Sequence, residues 1–480
     1  MNREKCVRIA RTGILPLIGA AALAGCSGSS EAEGEARWTS GSIEDLREAI
    51  GERAEHGLDH VRFEVPEDAG SAAGQTAMTK AALLYASALA RGASDPGELY
   101  EVYTVPRNDP DLKAGLAKAL AQGDVDDWLD SLAPHNGAYG ALSKAYLALA
   151  GKKAAPSPEI PVPEEPLEAG DEDPRVPAIA RQLAASGYLS SAAGRAAGQR
   201  YTENMVAAVK RMQADYGIDP DGIIGKDALE ILNFSDADRA RALAVAMERL
   251  RWLEREAPKT RIDVNTATGR LTYWREGKVA DRRKAVVGEP GHETPQLGSP
   301  IYRLVANPTW TVPRSIEEKE LAGKGAAYLR ANNMARKDGW IVQQSGPENS
   351  LGLVKFDMKN DHAIYLHDTP AKALFDEVQR QRSHGCVRVE DALGFAALIA
   401  SHAGLSEEWT TARETGEETF VALPREIPVR LLYQTVVLDE EGKPSIHADP
   451  YDWDTRVARK LGFGERARHV LKAGSQDVGP

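Results

Sequence analysis

The residues most able to do chemistry gather around one thiol. Cys386 sits in Ser383-His384-Gly385-Cys386-Val387-Arg388, and a second histidine lies shortly upstream in Ile364-Tyr365-Leu366-His367-Asp368. The other two cysteines, Cys6 and Cys26, fall near the N-terminus in what reads as an export signal, so the body of the chain holds a thiol without a disulfide partner. In an oxidising compartment such a thiol is exposed to oxidation, and its retention suggests chemistry. A thiol beside imidazoles suits nucleophilic catalysis with a base to take the proton. The competing reading is a buried free cysteine packing as a small hydrophobe. The histidines lack the paired spacing of metal ligands on one helix turn, so no metal and no cofactor are expected. His362, His402 and His447 are isolated and read as surface or packing residues.

These groups need rigid elements to hold them. His367 closes a strand predicted over residues 363–366. Thr369 reads as an N-cap with Pro370 at the first helical position, predicting a helix through Leu374 and Val378. Another helix is predicted to begin near Val389. A thiol just ahead of a helix N-terminus and next to an imidazole should have a depressed pKa. Gly385 would let the backbone pass closely, with N–H groups around Cys386 facing a developing oxyanion. Upstream, residues 261–265 and 270–274 alternate around a Thr268-Gly269 turn, and a turn at 276–278 leads into 284–288. This predicts an antiparallel meander, resumed at 363–366 and 429–438, and a mostly β domain with a few packed helices over 260–440.

Apolar spacing predicts a helical scaffold over 38–150, where Met78, Ala81, Ala82, Tyr85 and Leu89 share one face. A Pro- and acid-rich linker is expected over 151–177, a small helical unit over 178–234, and a tail over 441–480. With 480 residues, 42% hydrophobic and 27% charged, the chain can build several cores. A formal charge of −12 argues against a nucleic-acid partner, since phosphate binding wants a basic surface. Residues 1–26 combine a basic start with an apolar stretch too short to span a bilayer comfortably. They end in Leu23-Ala24-Gly25-Cys26, which resembles a bacterial lipoprotein cleavage box, with a plain signal peptide as the alternative. The resemblance implies acylation of Cys26 and export to the periplasm, anchored to the outer membrane.

The strand ending in His367 and the Ser-His-Gly-Cys-Val-Arg block resemble the catalytic signature of the L,D-transpeptidases. Asn307-Pro308-Thr309-Trp310-Thr311-Val312-Pro313, Gly346-Pro347-Glu348-Asn349-Ser350-Leu351-Gly352, Val354-Lys355-Phe356 and Pro428-Val429-Arg430 resemble the large, lidded branch of that family. Residues 207–218 with Asp221-Gly222-Ile223-Ile224-Gly225 resemble a three-helix peptidoglycan-binding domain. The expected fold class is therefore α+β multidomain, with a helical scaffold, a small peptidoglycan-binding-like domain and a mostly β catalytic domain carrying a helical lid over 310–344. Trp310 and Trp340 are expected in the core of that insertion.

The resemblance implies Cys386 as nucleophile, His367 as base, the Asp368 backbone carbonyl as third member and Gly385 in the oxyanion region. It gives His384 an auxiliary role, and Arg388 either a grip on a substrate carboxylate or a structural salt bridge. It implies peptidoglycan stem peptides and glycan as partners, and 3-3 cross-linking through a cysteinyl thioester with release of D-alanine. The alternatives are an L,D-carboxypeptidase or hydrolase, an acyltransferase tethering a protein to the wall, or a non-catalytic wall-binding lipoprotein.

Overall fold

The computed structural model describes residues 37–67, 70–150, 159–161, 165–216, 218–439 and 441–464. The leader with Cys6 and Cys26 lies outside the described residues.

The helical scaffold starts at Ser40–Gly51, where Thr39 and Ser42 form a reciprocal capping box that satisfies two orphan backbone donors. It continues through Ala72–Arg91, Leu112–Gln122, Val125–Leu132 and Gly137–Ala150. The predicted stripe Met78, Ala82, Tyr85 and Leu89 faces the core. That core is completed from far along the chain. Helix Asp236–Trp252, capped by Ser235 and Asp238, is buried on nearly every side, including Glu248, Arg249 and Arg251. Arg251 pairs with Glu248 at 2.6 Å and donates to Tyr139 Oη and the His56 carbonyl, each at 2.7 Å. The other Glu248 oxygen accepts from the Ser94 amide and hydroxyl at 2.7 and 2.6 Å. The expected C-terminal tail is in part folded. Pro444–Ile446 pairs with Val436–Leu438, and helix Trp453–Lys460 sends Trp453, Val457 and the following Leu461 into the scaffold core. Their i, i+4, i+8 spacing is an amphipathic stripe.

The small domain has its own core, with Val176, Ile179 and Leu183 packed on Val209, Met212, Ile224 and Leu229. The end of the expected linker belongs to it: Leu167 is buried and forms a β-bridge with Ile224, and helix Val176–Ala185 starts before residue 178. Residues 151–158 and 162–164 lie outside the described residues.

The β-rich domain expected over 260–440 is a mixed sheet. Its strands are β1 (Arg261–Asn265), β2 (Arg270–Arg275), β3 (Lys278–Gly288), β4 (Gly298–Ala306), β8 (Val354–Met358), β9 (Leu366–His367), β10 (Gln381–Ser383), β11 (Val387–Val389) and β12 (Thr419–Leu432). The order is β10-β3-β11-β9-β8-β4-β12-β1-β2, and β2 also pairs with β3, so the sheet closes on itself. Closure removes the exposed edges that β1 to β3 would otherwise present. The meander is antiparallel through β1, β2 and β3, but β1–β12 and β9–β11 run parallel. Helix Ala392–Ala403 packs Phe395 and Ile399 on the sheet.

The insertion is less helical than expected. Strands β5 (Trp310–Thr311), β6 (Met334–Lys337) and β7 (Trp340–Gln343) form a separate sheet in the order β5-β7-β6. One π-helical turn, Glu317–Leu321, and short helices complete it. The insertion leaves β4 through Asn307 at φ +49° and returns through Gly346 at φ +148°. Trp310 lies in its core, but Trp340 is 40% exposed with the Arg314 guanidinium 4.1 Å above its ring. A stacked guanidinium covers an aromatic face without burying it.

Candidate active site

The parallel register of β9 and β11 sets the site. Leu366 lies opposite Val387 and His367 opposite Arg388, so Cys386 enters β11 beside the end of β9. The Val387 amide donates to the Tyr365 carbonyl at 3.1 Å, and Cys386 Sγ lies 3.6 Å from the Ala363 carbonyl oxygen. The loop before it is held from within. Ser383 Oγ donates to the Cys386 carbonyl at 2.6 Å and accepts from the Gly385 amide at 3.1 Å. Thr294 Oγ1 donates to the Gly385 carbonyl at 2.8 Å. Gly385 has φ +116°, which side chains rarely adopt.

His367 is wholly buried, and its Nδ1 lies 2.5 Å from the Asp368 carbonyl oxygen. A carbonyl only accepts, so Nδ1 carries the proton and Nε2 is the basic nitrogen. The Asp368 carboxylate works elsewhere: it accepts from the Leu353 amide at 3.0 Å and pairs with Lys372. Gly352, at φ +62°, passes so close that a Cβ there would collide with that carboxylate.

The expected thiolate-stabilising helix is absent from this position. β11 follows Cys386 directly, and the next helix starts only at Ala392, capped by Asp391. The predicted helix after Thr369 is likewise a single 3-10 turn, Lys372–Phe375. Burial therefore governs the thiol, pushing it up to about 11, partly offset by hydrogen bonding from Tyr365 and by the charges of Lys355 and Arg388. Burial thus favours the neutral thiol. Arg388 is 1% exposed within β11.

His384 Nε2 lies 2.7 Å from Oε1 of Glu320, on the π-helical turn of the insertion. Tyr365 and Lys355 lie near Cys386, while Glu320, Glu289, His292 and Thr294 lie against the loop that carries it, and sequence reading gave none of them a role. Only the His292-Glu293-Thr294 run between β3 and β4 offered a polar signal. Glu289, His292 and His384 place donor atoms within 4.8 Å of one another. The cluster is already satisfied by protein charges, because the Lys319 ammonium lies 3.1 Å from His292 Nε2 and Glu320 holds His384. A cleft of about 710 Å³ lies elsewhere, lined by Asp215, Arg270, Arg282, Lys284, Arg380 and His447.

Residues 259–416 match the family model of the L,D-transpeptidase catalytic domain. The chain carries a catalytic domain of the L,D-transpeptidase family. Residues 31–145 match a model described as a scaffold domain, and residues 172–232 one described as "Putative peptidoglycan binding domain". A Haemophilus influenzae protein described as "Putative L,D-transpeptidase" is 29% identical over 220 residues, covering 41% of this chain and 45% of that protein. The match thus spans less than half of the relative's length. Among solved structures, an L,D-transpeptidase from Stackebrandtia nassauensis has a TM-score of 0.25 at 15% identity, over 55% of this chain and 94% of that one. An L,D-transpeptidase from Mycobacterium smegmatis has a TM-score of 0.22 at 11% identity, over 36% and 58% of the two chains.

Proposed function

We propose that the protein is a peptidoglycan L,D-transpeptidase with Cys386 as its nucleophile. The observation that carries this reading is the His367 Nδ1 to Asp368 carbonyl contact, which leaves Nε2 as the basic nitrogen on the strand paired with β11, the strand that Cys386 precedes. His367 takes the thiol proton as Sγ attacks the carbonyl between meso-diaminopimelate and D-alanine of a donor stem. The oxyanion forms near the amides flanking Gly385, the C–N bond breaks, and the imidazolium returns its proton to the leaving D-alanine amine. A thioester remains. An amine of a second stem attacks it, giving a 3-3 cross-link and releasing the thiol. The thioester conserves the energy of the cleaved amide, so no nucleotide is required.

The lid supports transfer over hydrolysis. Glu320 closes onto His384, and Cys386 is only 6% exposed, an arrangement that limits water at the thioester. Export and an acyl anchor at Cys26 belong to the same proposal and rest on the leader sequence; glycan binding by the small domain rests on its family match. The test is mass spectrometry of muropeptides incubated with the enzyme, together with adduct formation by a carbapenem, which mimics the donor carbonyl. Dimers cross-linked between third residues are expected, with the adduct on Cys386. An adduct of the same mass on Cys386→Ala would end the assignment.

A further inference from the structure

The segment between β3 and β4 lies directly against the nucleophile loop. The Glu289 amide donates to the Ser383 carbonyl at 2.8 Å, Thr294 bonds Gly385, and the His292 and His384 rings stand 5.1 Å apart. Within this segment Glu289 is buried, and its Oε1 lies 3.3 Å from Nδ1 of His292. The opposite nitrogen, Nε2, faces the Lys319 ammonium at 3.1 Å. A carboxylate only accepts and an ammonium only donates. The neutral imidazole with its proton on Nδ1 satisfies both partners at once. A carboxylate thus orients an imidazole whose free lone pair receives a primary ammonium, next to the loop that bears the nucleophile.

We propose that Glu289 and His292 form a second base, dedicated to the acceptor amine, and that Lys319 occupies the seat of that amine when no acceptor is bound. This inference rests on the transpeptidase reading and divides its two half-reactions between two histidines: His367 serves the donor and His292 the acceptor. The acceptor is a primary ammonium, protonated at neutral pH and therefore not nucleophilic. On displacing Lys319 it gives one proton to His292 Nε2, and its freed lone pair attacks the thioester carbonyl. The C–N bond forms, and the attacking nitrogen passes its remaining excess proton to His367, which acylation left neutral. The C–S bond breaks, the departing thiolate takes that proton from His367, and His292 releases its own to solvent on opening. Glu289 stays ionised throughout and stabilises the imidazolium of His292. Lys319 lies on the lid next to Glu320, so the closed lid carries both the contact to His384 and the occupant of the amine seat.

The experiment uses the full-length protein and a disaccharide tetrapeptide as donor and acceptor, read by mass spectrometry. The measured quantity is the ratio of cross-linked dimer to hydrolysed tripeptide, taken per mole of Cys386 acylated. His292→Gln should lower that ratio by about 10²-fold, the lower end of what a positioned base contributes, and added imidazole should restore part of it. Glu289→Gln should lower it less, and Lys319→Met should raise it. An unchanged ratio in folded His292→Gln overturns the proposal, and so does a fall in Lys319→Met as deep as that of His292→Gln. If His292→Gln instead abolishes acylation by a carbapenem, His292 belongs to the donor half-reaction and the division of labour is wrong. A wild-type protein that acylates but passes the acyl group to no amine defeats the transpeptidase reading and this one with it.

Discussion

In the helical core, Arg251 and Glu248 are buried as an ion pair with both partners fully hydrogen-bonded, whereas beside β9 and β11 burial leaves Cys386 a neutral thiol and anchors His367 through Nδ1. Both regions exclude water, and they use the exclusion differently. The scaffold pays for its buried charges with a complete set of partners, which fixes how three distant segments meet. On the proposed reading the Cys386 region keeps a proton on the thiol with His367 as its base, so burial stores reactivity that substrate and base release together. A buried charge with every bond made is structural; a buried titratable group with capacity in reserve is a place to look for chemistry.

Substitutions can break this contrast. His367→Ala should slow acylation of Cys386 by about 10²–10⁴-fold while leaving thermal stability near wild type; stopped-flow carbapenem acylation and a melting curve read the two. A large loss of stability would mean that His367 is structural, as Arg251 is. Conversely, Arg251→Leu strands the buried Glu248 carboxylate and should cost about 3–5 kcal/mol in urea unfolding. The acylation rate of the fraction that remains folded should be unaffected. A slowed rate there would show that the scaffold tunes the site.

The pH dependence sharpens the comparison further. The folded thiol is pushed up to about 11, above its unfolded value near 8.5. The folded state therefore holds this proton more tightly. The associated stability is fully present below the unfolded pKa and is lost as pH rises through about 11, a contribution of roughly 3 kcal/mol. Wild type should lose stability relative to Cys386→Ser over that alkaline window, and parallel curves would refute the raised pKa. The smallest effect belongs to Lys372→Ala. That lysine is half-exposed against Asp368, and its loss should cost at most about 1 kcal/mol. Because the Asp368 carbonyl is set by the backbone, acylation should stay within about twofold of wild type; a larger drop would bring the carboxylate into the relay.

What could be read from the sequence follows the same division. The Ser-His-Gly-Cys block and the alternation in β1 to β3 are local patterns that survive as strand or strand-loop units, but of the strand expected over 363–366 only Leu366 is strand: β9 is Leu366–His367, and Ala363 turns at φ +55°. The Lys- and Arg-containing insertion read as helical because β5 has two residues, and its partner Gln343 lies far down the chain from Trp310. The thiol's environment was misjudged for a related reason. Val387, Arg388 and Val389 pair with β3 and β9, and that pairing displaces the helix start to Ala392. In the scaffold, nothing local marks Glu248, Arg249 and Arg251 as core, because groups from distant segments help satisfy their charges. The stripe of Trp453, Val457 and Leu461 was legible but lay in a segment expected to be a tail. His292 gave no sign of its neighbours, since its partners Glu289 and Lys319 come from different elements.

The order in which the chain is synthesised gives the scaffold's distant closure a temporal meaning. The helices between residues 40 and 150 leave the ribosome first, yet their shared core includes Trp453, Val457 and Leu461. They cannot finish burying their apolar faces until Leu461 has emerged. A nascent chain of this protein therefore stays loosely packed at its beginning while its later segments are still being made, and a premature stop before residue 453 leaves the earliest helices without their last partner.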